Sequence, residues 1–264
     1  MNTPRTPSLP DESLLTRLEE AVDRWNDLSF IEDDPISIPH RFTKLQDKEI
    51  SGFFSAIFAW GNRKTIINKA NELMELMDNS PHDFVINHQD KDLARFERFV
   101  HRTFQATDVL YFIEFLKNHY TGKDSLEDAF LLAENEVYDQ KQAFTHFHRY
   151  FFNLPYAPER TRKHVSTPEN KSTCKRLNMF LRWMVRKDEK GVDFGLWSRV
   201  PASALMIPFD VHVEKTARKL GLLNRKQKDW QTVEELTAVL RQLDPKDPVK
   251  YDFALFGLSK ENLP

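Results

Sequence analysis

One stretch of the chain decides how its fold is interpreted: Ile207-Pro208-Phe209-Asp210-Val211-His212-Val213. The proline fixes the backbone dihedral φ just ahead of the aspartate, and the aspartate opens an amphipathic helix. Val213, Ala217 and Leu220 share one face of that helix, and Gly221 closes it. A carboxylate at a helix start is either a plain N-cap or a fixed anion aimed into a cleft. Both interpretations of Asp210 stay open at this level.

The composition favours helices with short connections. Only 7 of the 264 residues are Gly, while Leu, Phe, Lys, Glu and Arg are plentiful. Apolar side chains recur at helical spacing after Asp47, at Ile50, Phe53, Phe54, Ile57 and Phe58. No run of alternating strands stands out. We therefore predict an all-α protein, with an N-terminal tail, helix and linker over residues 1–45 and one packed helical region over 46–264.

The cysteine count and the lengths of the apolar runs indicate the compartment and the partners. Cys174 is the single cysteine, so no internal disulfide can form, which suits a reducing cytoplasm. No apolar run approaches the ~20 residues that a membrane span needs, and no signal peptide opens the chain. We expect a cytoplasmic monomer with no membrane partner, no metal ion and no cofactor.

A basic segment runs from Glu159 to Lys187. It holds two acids and nine basic residues: Arg160, Arg162, Lys163, Lys171, Lys175, Arg176, Arg182, Arg186 and Lys187. The formal net charge of −2 argues against a generally basic coat, but charge distribution matters more than the sum. The segment is either a solvated helical face or a strip that contacts nucleic-acid phosphates.

The segment from Lys175 to Arg186 is predicted to be an amphipathic helix. Its apolar positions are Leu177, Phe180, Leu181 and Met184, and its polar stripe is Lys175, Asn178, Arg182 and Arg186. Lys175 is either one solvated lysine among many or a Schiff-base nucleophile. The second role needs an amine that loses its proton near neutral pH, which partial burial and neighbouring cations favour.

Three blocks of sequence resemble the helix-hairpin-helix DNA glycosylase superfamily. The first is residues 53–66 (FFSAIFAWGNRKTI), similar to paired helices whose turn inserts an amide side chain into the gap left by an extruded base. The second pairs residues 174–184 (CKRLNMFLRWM), similar to the lysine-bearing helix, with residues 208–212 (PFDVH). The third is residues 251–256 (YDFALF), similar to the base-recognition helix of the 8-oxoguanine branch. The chain also looks like an uncharacterised bacterial family related to these enzymes and like the archaeal 8-oxoguanine glycosylases.

The resemblance implies a role for each matching residue. Lys175 would be the nucleophile and Asp210 would stabilise positive charge on the sugar. Asp252 would bind the base edge and Phe256 would stack on the base. The predicted DNA-binding residues are Asn62 and Arg63 at the matching turn, Arg162, Lys163, Arg176 and Arg182 of the basic segment, and His212 at the start of the Asp210 helix. The expected partner is double-stranded DNA containing a damaged base, and the expected activity is removal of an oxidised purine, 8-oxoguanine, with AP-lyase chemistry.

Two departures from the family pattern mark this chain. Residues 169–173 (ENKST) stand where the family has a glycine-rich hairpin, so we expect a divergent hairpin whose phosphate clamp is reshaped. Lys175 and Asp210 are 35 positions apart, with an insertion over residues 187–199 between them. We predict that the two side chains nevertheless approach across one cleft.

Two rival functions remain open from the sequence. A metal-dependent phosphohydrolase of the histidine–aspartate type, also all-α, would use His40, His82, Asp83 and Asp210 as ligands. Against it, Pro81-His82-Asp83-Phe84 resembles a helix start. A non-catalytic DNA-binding helical protein would keep the fold and lack the chemistry.

Overall fold

The computed structural model of the protein describes residues 11–133 and 136–261. Its α-helices are Glu12–Trp25 (α1), Ser29–Glu32 (α2), Ser37–His40 (α3), Leu45–Phe58 (α4), Arg63–Leu76 (α5), Pro81–Asn87 (α6), Asp90–Leu93 (α7), Ala106–Gly122 (α8), Gln140–Phe151 (α9), Lys175–Val185 (α10), Val211–Lys219 (α11), Trp230–Leu243 (α12) and Tyr251–Lys260 (α13). Short 3₁₀ turns lie at Ala94–Phe96, Leu126–Phe130, Glu159–His164, Pro168–Asn170, Ala202–Ala204 and Pro248–Lys250. Within the described residues, the only strands are Val100–His101 (β1) and Phe104–Gln105 (β2), which pair antiparallel. The predicted helical class is confirmed, and the helix-hairpin-helix arrangement stays a prediction.

The chain forms two compact units. The C-terminal unit combines the residues up to Phe30 with those from Thr167 onward, and the central unit is Ile31–Ser166. This division differs from the predicted boundary at residue 45, because α1 packs on α13 and so joins the end of the chain. The packing of residues 46–264 as one unit stays a prediction.

The C-terminal unit is organised around α13. Leu18 and Ala21 of α1 and Val213 and Ala217 of α11 are buried in one apolar cluster with Leu255 and Leu258 of α13. Burial of each leucine or valine side chain stabilises the unit by roughly 1.5–3 kcal/mol. Gly257 permits the close approach of α1, since a Cβ there would lie 2.1 Å from the Trp25 ring. Both predicted base-recognition residues therefore lie on a fixed helix.

The central unit has the apolar core that the sequence predicts. Ile50, Phe53, Phe54, Ile57 and Phe58 of α4 are all fully buried, and Phe53 stacks on Phe112 of α8 with ring centroids 5.5 Å apart. The helix ends ahead of Trp60-Gly61-Asn62. Gly61 adopts a left-handed φ of 100°, which glycine tolerates without steric cost. The predicted break between α4 and α5 is confirmed.

Among the described residues, no helix combines the length and the apolar character needed to cross a membrane.

Candidate functional site

Asn178 connects the lysine helix to the segment that leads into Asp210. Its side-chain nitrogen donates to the Thr173 carbonyl at 3.0 Å and to the Ile207 carbonyl at 3.4 Å. The side chain is buried, so it is a bridge between two backbone segments and not part of a surface stripe. This bridge holds the first turn of α10 beside the segment that precedes α11.

The insertion over residues 187–199 folds back on α10. The backbone N–H of Phe194 donates to the Trp183 carbonyl at 2.8 Å, and those of Leu196 and Trp197 donate to the Met184 carbonyl at 2.7 and 2.9 Å. These bonds satisfy carbonyls that a helix end leaves without an intrahelical partner. The extra residues therefore cover the end of α10 and do not carry the chain away from Asp210.

Asp210 is the N-cap of α11. Its Oδ1 accepts from the backbone N–H groups of His212 at 2.8 Å and Val213 at 2.9 Å. No described residue forms a hydrogen bond or an ion pair with Oδ2. The carboxylate is half-buried. The predicted cap is therefore confirmed, and the second oxygen leaves the other interpretation, an anion aimed at a ligand, compatible with the same geometry.

The surroundings of Asp252 bring together residues of the second and third sequence blocks. Burial raises the pKa of its carboxyl to about 7; the Arg182 guanidinium, which contacts Oδ2, opposes the shift, the Asp210 carboxylate adds to it, and Lys175 opposes it. Charges act on one another in this way only at short range inside a protein. Lys175, the half-buried first residue of α10, therefore lies in the same electrostatic neighbourhood as Asp210 and Asp252.

A buried ionic cluster lies behind Asp252. Arg182 pairs with Asp252 and with Asp193 at 3.2 Å, and Arg186 pairs with Asp193 at 3.2 Å and Asp247 at 2.9 Å. Asp193 comes from the insertion and is buried. Sequence reasoning did not single it out, since nothing in its spacing distinguishes it from other acids. The only signal was the pair of arginines four positions apart on a helix whose other positions are mainly apolar.

Arg182 is buried in this structure, and its predicted contact with DNA stays a prediction. The side chain is 3% exposed, and its guanidinium lies over the Phe253 ring, 4.4 Å from the centroid. Two carboxylates and an aromatic face occupy it, because an arginine buried on this face of α10 must be paired to offset its desolvation. Arg186 is likewise buried, so the two arginines of the predicted polar stripe form an internal ionic contact.

The raised pKa of Asp252 gives a stability prediction. A carboxyl with a raised folded pKa binds a proton in the native state that the unfolded state has lost, so its contribution to stability falls as pH rises from about 4 to 7. Asp252→Asn removes this titration. Between pH 5 and pH 8 the parent should therefore lose on the order of 2 kcal/mol of unfolding free energy more than Asp252→Asn does. Urea unfolding at both pH values measures it, and an unchanged difference contradicts it.

Phe256 is almost fully enclosed. The edges of Trp25 and Phe30 contact its ring region at centroid distances of 6.0 and 5.8 Å, and the His212 ring lies at 5.3 Å. The Lys260 ammonium sits 5.4 Å from the ring centroid. Stacking of a base on Phe256 stays a prediction, and it requires movement of these neighbours. His212 is half-buried and hydrogen-bonds through Nδ1 to the Ser259 hydroxyl at 3.0 Å.

The segment that precedes Lys175, where a divergent hairpin is predicted, has left-handed backbone without glycine. A 3₁₀ turn at Pro168–Asn170 is followed by Lys171 with a φ of 57°, and Cys174 just before α10 has a φ of 49°. The Ser172 hydroxyl accepts from the Cys174 backbone N–H at 3.1 Å. Left-handed conformations cost non-glycine residues of order 1–3 kcal/mol and persist where the surroundings impose them. The turn that precedes Lys175 is therefore held in place by contacts and not by sequence preference.

Three predicted DNA-binding arginines differ in their surroundings. Arg176 is half-buried, and desolvation lowers its pKa to about 10, so it stays charged at neutral pH. In the central unit, Arg63 pairs with Asp34 at 3.3 Å, and Arg162 pairs with Glu159 at 2.9 Å. These are partly exposed ion pairs of the weak class, which a phosphate can replace. Their contacts with DNA stay predictions.

Asn62 and Lys163 are exposed residues of the central unit. Asn62 caps α5, since its Oδ1 accepts from the Thr65 backbone N–H at 3.2 Å. To fill the gap left by an extruded base, Asn62 would exchange this cap bond for contacts with DNA. Lys163 lies in the 3₁₀ turn Glu159–His164.

The ligands of the rival phosphohydrolase do not form a metal-binding group. Among the described residues, no three His, Cys, Asp or Glu side chains gather closely enough to hold a metal ion. His82 instead meets the Lys44 ammonium through Nδ1 at 2.8 Å, and Asp83 accepts from Asn87 at 2.8 Å. The predicted helix start at Pro81 is confirmed.

A family model described as "Protein of unknown function (DUF2400)" matches residues 34–261. The chain belongs to this family. No curated protein and no solved structure matches the chain significantly. The family assignment therefore adds no activity, and a DUF2400 function must be argued from the site.

Proposed function

We propose that this DUF2400 protein is a DNA N-glycosylase with AP-lyase activity that removes an oxidised purine from double-stranded DNA. The observation that supports the proposal is that Lys175 and Asp210, from two other segments of the C-terminal unit, both act on the ionisation of the Asp252 carboxyl. The Asn178 bridge ties α10 to the segment before Asp210 at 3.4 Å. The Arg182–Asp252 contact ties α10 to α13. An amine and two carboxylates from three separate segments are the groups this reaction needs.

The chemistry divides between the amine and the Asp210 carboxylate. When the C1′–N9 bond breaks, its electron pair leaves with the base, which takes up a proton, and positive charge develops on the sugar. The Asp210 carboxylate would stabilise that charge. Lys175 would use its lone pair to bond C1′, and opening of the sugar ring would give an imine. Loss of a C2′ proton and of the 3′ phosphate would then cleave the strand.

Asp252 suits the edge of a purine. Its Oδ2 contacts Arg182, and Oδ1 receives no hydrogen bond from any described residue. A carboxyl with a pKa of about 7 is substantially ionised at neutral pH, and it then accepts from ring N–H and amino groups. We propose 8-oxoguanine as the preferred base, because its N7–H is a donor that guanine lacks.

Two substitutions of Phe256 distinguish stacking on a base from packing in the core. Phe256→Ala should lower the unfolding free energy by about 3–5 kcal/mol, because the ring is buried against Trp25, Phe30 and His212. Phe256→Leu retains most of the apolar volume and should cost much less. If a base stacks here, Phe256→Leu should still lose roughly 1–3 kcal/mol of base binding. Single-turnover excision alongside thermal unfolding measures both, and excision at the parent rate by Phe256→Leu assigns the ring to the core.

The proposed function is tested with duplex oligonucleotides that each carry one lesion. We expect release of 8-oxoguanine and, with borohydride present, a covalent protein–DNA adduct that migrates slowly on a denaturing gel. Undamaged duplex and duplex containing uracil are the controls. Absence of both release and adduct across the lesions would refute the proposal.

The second candidate is a non-catalytic DNA-binding protein. It is favoured by the structural bonds of the same residues, since the Asp210 cap and the Arg182–Asp252 pair would both stabilise the fold without any chemistry. Duplex binding with neither base release nor an adduct identifies this candidate.

A further inference from the structure

The hairpin of β1 and β2 in the central unit carries a strained cation at its tip. We infer that Arg102 binds the phosphate backbone of duplex DNA beside the turn Trp60-Gly61-Asn62. The inference rests on the proposed DNA substrate and adds to it a contact residue that no sequence motif indicated. Every contact that supports it lies within Ile31–Ser166.

The tip of the hairpin is a two-residue turn in which Arg102 has an unfavourable backbone conformation. Val100 pairs with Gln105 and His101 with Phe104, which leaves Arg102 and Thr103 as the connecting residues. Arg102 is exposed and has a φ of 57°. A long side chain at this left-handed position is uncommon, and glycine or asparagine would adopt it more easily. No described carboxylate pairs with Arg102, so no ion pair within that part of the chain offsets this cost.

The guanidinium of Arg102 is fitted to Gly61. A Cβ added at Gly61 would lie 2.0 Å from Arg102 Nη1, so the guanidinium occupies the space that a side chain at Gly61 would take. Asn62 follows directly and starts α5. The cation is thus held against the turn predicted to enter the DNA, and a backbone phosphate is the anionic group that duplex DNA would offer it there.

One buried carboxylate contacts both the β1–β2 hairpin and the neighbouring 3₁₀ turn Glu159–His164. Asp108 is fully buried and accepts from the Gln105 backbone N–H at 2.8 Å and the Thr161 hydroxyl at 2.7 Å. It also pairs with Arg160 at 3.0 Å, and Arg160 in turn donates to the Thr103 carbonyl at 3.1 Å. The hairpin tip and the segment of Arg160 to Lys163 are therefore fixed relative to each other.

Two buried histidines extend this anchor to the turn. The Trp60 ring lies 4.8 Å from the His101 ring and 6.0 Å from the His164 ring. Both histidines are 2% exposed. The turn, the hairpin tip and the basic segment consequently form one rigid surface. Its exposed cations include Lys64, Arg102 and Lys163, which gives a preorganised site for a polyanion.

The experiment compares duplex binding by Arg102→Gln and by Arg98→Gln over a range of salt concentrations. Arg98 is also exposed but precedes β1, so the second variant controls for the loss of one charge. We expect Arg102→Gln to weaken binding of undamaged duplex roughly five- to tenfold at about 0.1 M salt and to reduce the salt slope by about 0.9. Arg98→Gln should leave both quantities near the parent values.

Two further variants keep the result interpretable. Arg102→Gly relieves the left-handed backbone while removing the guanidinium, so it should fold at least as well as the parent and lose the same affinity. Arg102→Lys should retain the salt slope. Parent-like binding by Arg102→Gly, or equal losses in Arg98→Gln, would overturn the inference.

The outcome for Arg102 is distinguishable from the outcome for the proposed function. Adduct formation on lesion duplex at saturating protein depends on the C-terminal residues, and we expect it to persist in Arg102→Gln. A parent that binds duplex through Arg102 but forms no adduct refutes the glycosylase and keeps the inference. A parent that forms adducts independently of Arg102, with unchanged binding, does the reverse. A parent that binds no duplex refutes both.

Discussion

Replacing Lys175 with glutamine should abolish the borohydride-trapped adduct while leaving duplex binding close to that of the parent. The adduct requires a bond between Nζ and the sugar C1′, and glutamine has no amine that can form an imine. Duplex affinity depends on several cations, so one amide substitution should lower it only by the contribution of a single charge.

The stability of Lys175→Gln makes the test sharper. Lys175 is the first residue of α10, where the helix dipole disfavours a positive charge by roughly 0.3–1 kcal/mol. The Asp252 carboxylate attracts the same charge, so the two effects oppose each other. Removal of the amine should therefore change the melting temperature little, and loss of the adduct could not be attributed to unfolding.

Lys187→Gln is the matched control for charge. Lys187 is exposed just beyond the other end of α10, and its replacement removes the same charge from the same unit. We expect adduct formation at the parent level. A trapped adduct in Lys175→Gln, or equal loss in both variants, would show that Lys175 is not the nucleophile.

The helices on either side of the site follow from local sequence. Residues 50–58 repeat apolar side chains at helical spacing, and their complete burial needed no information from the rest of the chain. Pro208 and Asp210 likewise specify the start of α11, because a fixed φ and a capping carboxylate act over a few residues.

The interior of the site depends on partners distant in sequence. The helical spacing of Arg182 and Arg186 defines a stripe, but whether that stripe faces water depends on Asp193, Asp247 and Asp252. These three acids, which come from other segments, pair with the two arginines and allow them to be buried. A periodic pattern does not record such pairing, so the sequence alone could not show that Arg182 and Arg186 are buried.

Backbone conformation at two turns was also beyond sequence reasoning. Arg102 and Lys171 adopt a left-handed φ although neither residue type prefers it. Propensity predicts ordinary turns there, and only the surrounding contacts impose the strained form. A functional role of such a residue therefore cannot be predicted from sequence patterns.

Asp210→Asn should lower the rate of base excision by about 10²–10³-fold, the cost typical of losing one preorganised electrostatic group. Substrate binding should barely change, because the positive charge that the carboxylate stabilises exists only as the glycosidic bond breaks. Single-turnover excision at saturating protein, together with duplex affinity, separates the two quantities.

The hydrogen bonds of Asp210 allow the functional role to be separated from the cap. Both bonds to α11, from the N–H groups of His212 and Val213, end on Oδ1. An asparagine side-chain oxygen can accept the same two bonds, and asparagine caps helices about as well as aspartate. The melting temperature of Asp210→Asn should therefore stay near that of the parent, whereas Asp210→Ala should lose about 1 kcal/mol of stability.

The pKa of Asp252 provides an independent measurement on the Asp210→Asn variant. The Asp210 carboxylate helps to raise the pKa of Asp252, so removing its charge should lower that pKa toward the ordinary range of an aspartate. Any pH dependence of stability that Asp252 causes should then shift to lower pH in Asp210→Asn. An excision rate equal to the parent's, with this shift present, would place Asp210 beside Asp252 as a cap and remove it from the chemistry. A slow rate with an unchanged melting temperature would assign the carboxylate to the developing charge on the sugar.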